Sequence, residues 1–352
     1  MKTKNKTLVI LSPAFPADES ESAWVPAQQL LVKELKRQYP GLNIIVLSFL
    51  YPYQEAEYRW HDVKVIAFAG MHKRKLKRLL LWRKIWKKLR QIRKENQIIG
   101  ILSFWCGECA LVGSWFAKRN NLKHFCWVCG QDAKKSNGFV KRIRPKPGEL
   151  VTISDFLTEE FYKNHGIKPA HLIPIAIDKK MFPELPGERD IDILGVGSLI
   201  PLKNFDLFVS TISALKEKFP SIKAVLCGSG EEEEKIKNLV NELNLHENIS
   251  LTGMIHHPEV LQLMQRSKIL LHPSSYEGFG MVYLEALYAG AHVIGFTKAM
   301  NHEIKNWHVV KTKEEMTTKA AELFQNNNLS HERILVYSIE DTAKAFLDLF
   351  LQ

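Results

Sequence analysis

The chain has 352 residues, 45% of them hydrophobic and 25% charged, with a formal net charge of +11. This length exceeds what one hydrophobic core supports, so two domains are expected, and the composition excludes a disordered or fibrous chain. After the basic Met1 to Lys6 the apolar run covers only Leu8 to Leu11, too short for a signal peptide or span, so a cytosolic protein with five reduced cysteines is expected.

The first apolar run, Thr7 to Leu11, reads as a strand, and Pro26 to Tyr39 as an amphipathic helix. Further strands are predicted at Ile44 to Phe49 and Val63 to Phe68. Between Met71 and Lys94 stand Lys73, Arg74, Lys75, Lys77, Arg78, Arg83, Lys84, Lys87, Lys88, Arg90, Arg93 and Lys94, with no Asp or Glu. Without these twelve charges the rest of the chain carries −1. On a helical wheel Leu79, Leu81, Trp82, Ile85, Trp86, Leu89 and Ile92 share one arc, with Arg83, Lys84, Lys87, Arg90 and Lys94 opposite. A basic helix of this kind over 73–94 suits an anionic membrane surface better than nucleic-acid readout; a solvated helix packed on its own sheet is the structural alternative.

Strands follow at Ile98 to Phe104, His124 to Cys129, Leu150 to Ile153 and His171 to Ile175. Cys106, Cys109, Cys126 and Cys129 have the spacing of a four-cysteine zinc site, and Cys106-Gly107-Glu108-Cys109 that of a redox site. Residues three apart at a strand end face opposite ways, however, which favours buried reduced thiols. Proline-rich sequence from Pro174 to Arg189 reads as a linker. A second series of strands comprises Ile191 to Val196, Lys223 to Cys227, Ile249 to Thr252, Ile269 to His272 and His292 to Phe296. Helices are expected over Phe205 to Phe219 and after the acidic run Glu231 to Glu234. The expected architecture is α/β: two facing Rossmann-like doubly wound parallel sheets, with 1–175 as N-terminal domain, 176–189 as linker, 190–335 as C-terminal domain and 336–352 as a helix able to cross back to the first.

Three strand ends in the second half carry ligand-binding chemistry. Gly197-Ser198-Leu199 leads to Lys203, Gly228-Ser229-Gly230 allows close backbone approach, and Glu277-Gly278-Phe279-Gly280 opens a helix near Met281. The amides of Gly280, Met281 and Val282 would form an anion site at that helix's N-terminus, flanked by the carboxylates of Glu277 and Glu285.

In this order the motifs resemble family 4 of the retaining glycosyltransferases, which have the GT-B fold. Val151-x-Ile153-Ser154 and Ile173-Pro174-x-x-Ile177-Asp178 extend the similarity. The resemblance implies that Glu277 contacts the donor sugar, Glu285 the nucleotide ribose, and Lys203 with the Gly280 to Val282 amides the diphosphate. Ser198, Gly228, Gly230 and Phe279 belong to the same donor site. It further implies front-face, retaining transfer of a hexosyl unit from a nucleotide diphosphate sugar to a glycan or lipid-linked acceptor in cell-envelope polysaccharide synthesis. No metal or other cofactor is expected, since no Asp-x-Asp pair follows a strand in a metal-binding context. Three positions depart from the pattern. Ser198 stands where relatives carry arginine, Cys129 replaces a histidine before Gly130-x-Asp132, and Pro13 to Pro26 replaces an early Gly-Gly loop. Asp132 is the candidate sugar contact of the first domain, with a helix-cap role as its structural alternative. The alternative reading of the whole chain is a GT-B protein with a zinc or redox role in its cysteines and little transferase activity.

Overall fold

The computed structural model describes residues 5–21, 24–73, 76–182, 184, 188–326 and 328–351. The chain divides into two compact units, Met1–Ile175 with Ile339–Gln352, and Ala176–Ser338. Pro183, Pro186 and Gly187, on which the linker reading rests, and Arg74 and Lys75 of the basic run lie outside the described residues.

In the first unit, strands β1 (Lys6–Ala14), β2 (Asn43–Tyr51), β3 (Ala56–Trp60), β4 (Val63–Ala67), β5 (Gln97–Phe104), β6 (His124–Val128), β7 (Leu150–Thr152) and β8 (His171–Leu172) form one sheet. Their order is β3-β4-β2-β1-β5-β6-β7-β8, parallel except for the β3–β4 hairpin. The helices are α1 (Pro26–Gln38), α2 (Leu76–Glu95), α3 (Glu108–Asn120), α4 (Phe139–Ile143) and α5 (Asp155–His165). Strands β1, β2 and β5 are almost continuously buried, as expected of parallel strands covered on both faces. Helix α2 presses Leu81, Ile85, Leu89 and Ile92 onto Val9, Leu11, Ile45 and Leu47. The i, i+4 spacing of its apolar residues therefore reports a packed face. Leu79, expected on that face, is instead 49% exposed, beside Leu76 at 76% and Leu80 at 59%. The buried face of α2 therefore begins at Leu81, two residues after Leu79.

The second unit adds β9 (Ile191–Val196), β10 (Ala224–Cys227), β11 (Ile249–Gly253), β12 (Ser267–His272), β13 (His292–Gly295) and β14 (Trp307–Val309). The order β11-β10-β9-β12-β13-β14, with every pairing parallel, is that of a doubly wound dinucleotide-binding sheet. Helices α6 (Phe205–Lys216), α7 (Glu233–Glu242), α8 (His257–Arg266), α9 (Met281–Tyr288) and α10 (Lys313–Gln325) cover it. Phe208 and Ile212 of α6, Ile236 of α7 and Met316 of α10 share a core with Ile193, Leu226 and Ile269 of the strands. The strand order reverses between β9 and β12. In open α/β sheets ligands bind outside the carboxyl ends of the strands at such a point.

Helix α11 (Ile339–Leu351) returns to the first unit. Phe350 meets the ring of Phe125 at 5.0 Å and Phe346 that of Trp127 at 4.8 Å. Its bed on β5 exists because Gly100 has no side chain: a Cβ there would collide with the Phe350 ring.

Candidate donor site at the strand reversal

Lys203 and Glu277 meet because two loops are sewn together. The Asn204 side-chain amide donates to the Pro273 carbonyl at 3.0 Å. The Leu202 carbonyl accepts from the Ser275 amide at 3.0 Å and from its hydroxyl at 3.1 Å. Asn204 adopts a left-handed φ of 50° as it starts α6, a conformation that its short amide side chain tolerates. The loop after β9 thus carries the loop after β12 on its back.

Lys203 Nζ forms an ion pair with Oε1 of Glu277. His272, the last residue of β12 and fully buried, places Nε2 3.1 Å from the same oxygen. It stands between the rings of Phe205 and Tyr283, at 5.9 and 5.1 Å. Burial pushes the His272 pKa down, and Lys203 adds to this against the pull of Glu277, so the imidazole is neutral near pH 7. An ionised Glu277 can only accept, so Nε2–H is the donor to it. Burial by itself would raise the pKa of Glu277, but the His272 hydrogen bond and the Lys203 charge prevail and bring it down to about 2. Both contacts use Oε1. No described residue donates to Oε2, which is available for a hydroxyl.

Glu285 is buried one turn inside α9, and His257 at the start of α8 lies 2.8 Å from its Oε1. Gly280 precedes α9 with φ 86°, and no side chain caps the helix. Tyr283 N donates to Gly280 O, but no hydrogen bond among the described residues takes up the Met281 or Val282 amide. Two free N–H groups at the positive end of a helix suit an anion. Ser198 is exposed and brings no charge, whereas the Phe279 side chain is buried against Trp307 and Tyr337, so only its backbone can face a ligand.

Gly228 and Gly230 meet a packing need between neighbouring loops. A Cβ on Gly228 (φ 146°) would collide with the Gly197 carbonyl, and one on Gly230 with the Leu199 carbonyl. Gly197 N donates to Cys227 O at 3.0 Å and Leu199 N to Ser229 O at 2.8 Å. These glycines let the loops after β9 and β10 lie backbone against backbone.

In the first unit, Asp132 is spent on loop backbone. Its Oδ2 accepts from Cys106 N at 2.8 Å, and Oδ1 from Gly130 N at 2.8 Å and Cys129 N at 3.2 Å. Burial still raises its pKa, with the amides working against the rise. These contacts tie the loop after β5, where Trp105 has φ 61°, to the loop after β6. The zinc and redox alternative has no support. Cys106, Cys109 and Cys126 are buried, and burial raises the thiol pKa values of Cys109, Cys126 and Cys129. No group of three or more His, Cys, Asp or Glu among the described residues could hold a metal ion.

Sequence reasoning assigns no role to His272 or His257. His257 lies 28 residues from Glu285 and His272 five from Glu277; the available signal was a histidine ending a buried strand and another opening the helix after β11.

The two doubly wound parallel-sheet units have the GT-B fold. Residues 176–335 match the family model described as Glycosyl transferases group 1. An uncharacterized glycosyltransferase of Haemophilus influenzae is 25% identical over 256 residues, 69% of this chain and 71% of that one. The phosphatidylinositol N-acetylglucosaminyltransferase gpi3 subunit of Schizosaccharomyces pombe is 28% identical over 213 residues, covering 58% of this chain but 47% of its own length. Among solved structures, Anabaena HepE, crystallised with UDP and glucose, superposes over 99% of this chain and 98% of its own with a TM-score of 0.68 at 15% identity.

Proposed function

We propose that the chain is a retaining, metal-independent hexosyltransferase that takes its sugar from a nucleotide diphosphate donor bound by the second unit. The observation that carries this reading is the Lys203–Glu277–His272 cluster, half-buried around the fully buried His272, beside the uncapped end of α9. The Met281 and Val282 amides hold the diphosphate, with Lys203 swinging between Glu277 and the phosphate oxygens. As the sugar–phosphate bond breaks, this cation and the helix end stabilise charge on the leaving diphosphate, and stabilisation of this kind is commonly the main source of rate acceleration in enzymes. Glu277 Oε2 accepts from a sugar hydroxyl and Glu285 Oε2 from the ribose. Asp132 keeps the loop after β5 in shape for the acceptor side.

Relatives whose names include a phosphatidylinositol N-acetylglucosaminyltransferase and a poly(glycerol-phosphate) alpha-glucosyltransferase support a lipid-linked or envelope glycan acceptor. The exposed Leu76, Leu79 and Leu80, beside Lys77 and Arg83, suit docking of α2 on an anionic membrane surface. No helix among the described residues is long and apolar enough to cross a membrane. The test is a screen of nucleotide sugars by thermal shift and hydrolysis, followed by NMR of the product's anomeric linkage. A donor that binds and is transferred with retention, undiminished by chelators, is the expected result. Inversion, or loss of activity in EDTA, rejects the mechanism.

A further inference from the structure

At the end of the first unit remote from the carboxyl ends of its strands, the last turns of α2 and α3 border a cavity of about 1080 Å³. Lys87, Arg90, Arg93 and Lys94 line it from α2 and Arg119 from α3, around a floor that includes Trp86. All five cations are exposed, and none makes an ion pair with a described residue. Elsewhere on the helix three cations are paired, Lys84 with Glu55, Lys88 with Glu57 and Arg78 with Glu108, whereas Lys77 and Arg83 are exposed singly, outside the cavity lining. Glu95, the acid next to Lys94, accepts from Gln91 at 2.9 Å. Like charges gathered without counter-ions repel and destabilise the free protein; their joint potential favours an anion in the cavity.

We infer that this cavity is a binding site for a linear polyanion, a chain bearing successive phosphate or sulfate groups. Residues 87 to 94 cover about 10 Å of helix, more than one oxyanion can reach, so the ligand must carry several charges along its length. The cations line a hollow, whereas a bilayer is flat and touches only a rim; the half-buried Trp86 leaves no stacking platform for nucleic-acid bases. The site is separate from the donor machinery and independent of the transferase reading.

The test titrates the full chain with short linear polyphosphate, orthophosphate, and phosphatidylglycerol vesicles. Polyphosphate should bind at least about tenfold more tightly per phosphate than orthophosphate, with a steep salt dependence. The R90E/R93E/R119E variant should lose at least about tenfold in that affinity with an unchanged unfolding midpoint, and the corresponding alanine variant should lose less. The control K33E/K77E/R83E, which reverses three exposed charges elsewhere in the unit, should stay within about twofold. Equal loss in the control would show diffuse attraction by net charge and overturn the site. So would orthophosphate binding as well as the chain, or binding to vesicles without binding to polyphosphate.

Discussion

His257 Nε2 and Glu285 Oε1 lie 2.8 Å apart, a contact between the start of α8 and the second turn of α9 that fixes the carboxylate's orientation. The Glu285 hydrogen bond raises the His257 pKa above its usual value, against the opposing effect of burial. A raised pKa means that the pair stabilises fully below the ordinary histidine value and loses that contribution as pH rises through the raised one. Donor KM should therefore climb on the alkaline side of neutrality while kcat changes little. His257→Ala should raise KM about five- to tenfold and abolish this pH dependence, and His257→Gln should restore part of the affinity. An unchanged KM profile in His257→Ala rejects the positioning role.

Glu277→Gln removes a carboxylate held near pKa 2 and should lower kcat/KM about a hundredfold, equivalent to ~2.7 kcal/mol. Lys203→Ala should weaken nucleoside diphosphate binding by at least about tenfold, because Ser198 offers no second cation. Calorimetry with UDP and GDP separates the two effects, since Glu277→Gln should bind nucleotide almost normally.

Gly228→Ala should destabilise the second unit by about 3 kcal/mol or more, because the methyl group meets the Gly197 carbonyl at a backbone angle that side chains rarely adopt. Thermal unfolding should show a lowered midpoint that saturating nucleotide only partly restores. The adjacent half-buried Ser229 is the comparison position, and Ser229→Ala should leave the midpoint nearly unchanged.

A histidine stack at β13 and β14 predicts acid sensitivity. His292 Nδ1 lies 3.1 Å from His308 Nε2 with the rings nearly parallel, and His331 Nδ1 lies 2.9 Å from the Gly290 carbonyl. Burial lowers all three pKa values, that of His308 to about 4 with help from His292 and Lys319. Depressed pKa values mean that below about 6.5 the unfolded chain binds more protons than the folded one, so stability falls from there toward pH 4. The unfolding midpoint should drop between pH 7 and 5, and His308→Asn should flatten that slope.

Replacing Leu76, Leu79 and Leu80 by Ser together with Arg83→Glu should abolish co-sedimentation with anionic vesicles, to which each exposed cation adds about 1 kcal/mol before screening. Neutral vesicles should not bind the parent protein. Binding indifferent to lipid charge would favour a soluble acceptor.

Much of the scaffold was legible because parallel strands buried on both faces leave continuous apolar runs, as Ile191 to Val196 and Ile269 to His272 show. The edge strands β3 and β14 escaped for the opposite reason. Ala56 to Trp60 alternates with charged residues, and its hairpin turns on His61 and Asp62, both at positive φ, without the Asn-Gly pair that marks such turns. In the site, glycines and charges at strand ends could be read individually. The convergence of Lys203 and His272 on one oxygen of Glu277 could not, because it depends on the Asn204 and Leu202 contacts between loops about seventy residues apart. Nor could the role of Gly228, since a glycine admitting a ligand and one admitting a neighbouring carbonyl look alike until the backbone is seen.

The notch at Gly100 filled by Phe350 has a consequence for the order in which the chain matures on the ribosome. Residues 176–338 form an uninterrupted unit and can complete their core as soon as they emerge. The first unit emerges earlier, yet its β5 and β6 surface stays uncovered until α11 has been made, with Phe125 and Trp127 awaiting Phe350 and Phe346. At roughly 5–20 residues per second, the intervening stretch keeps that apolar surface open for about ten seconds or more. The half made first is thus the half finished last, and clipping the chain before Ile339 should drive aggregation of the nascent first unit.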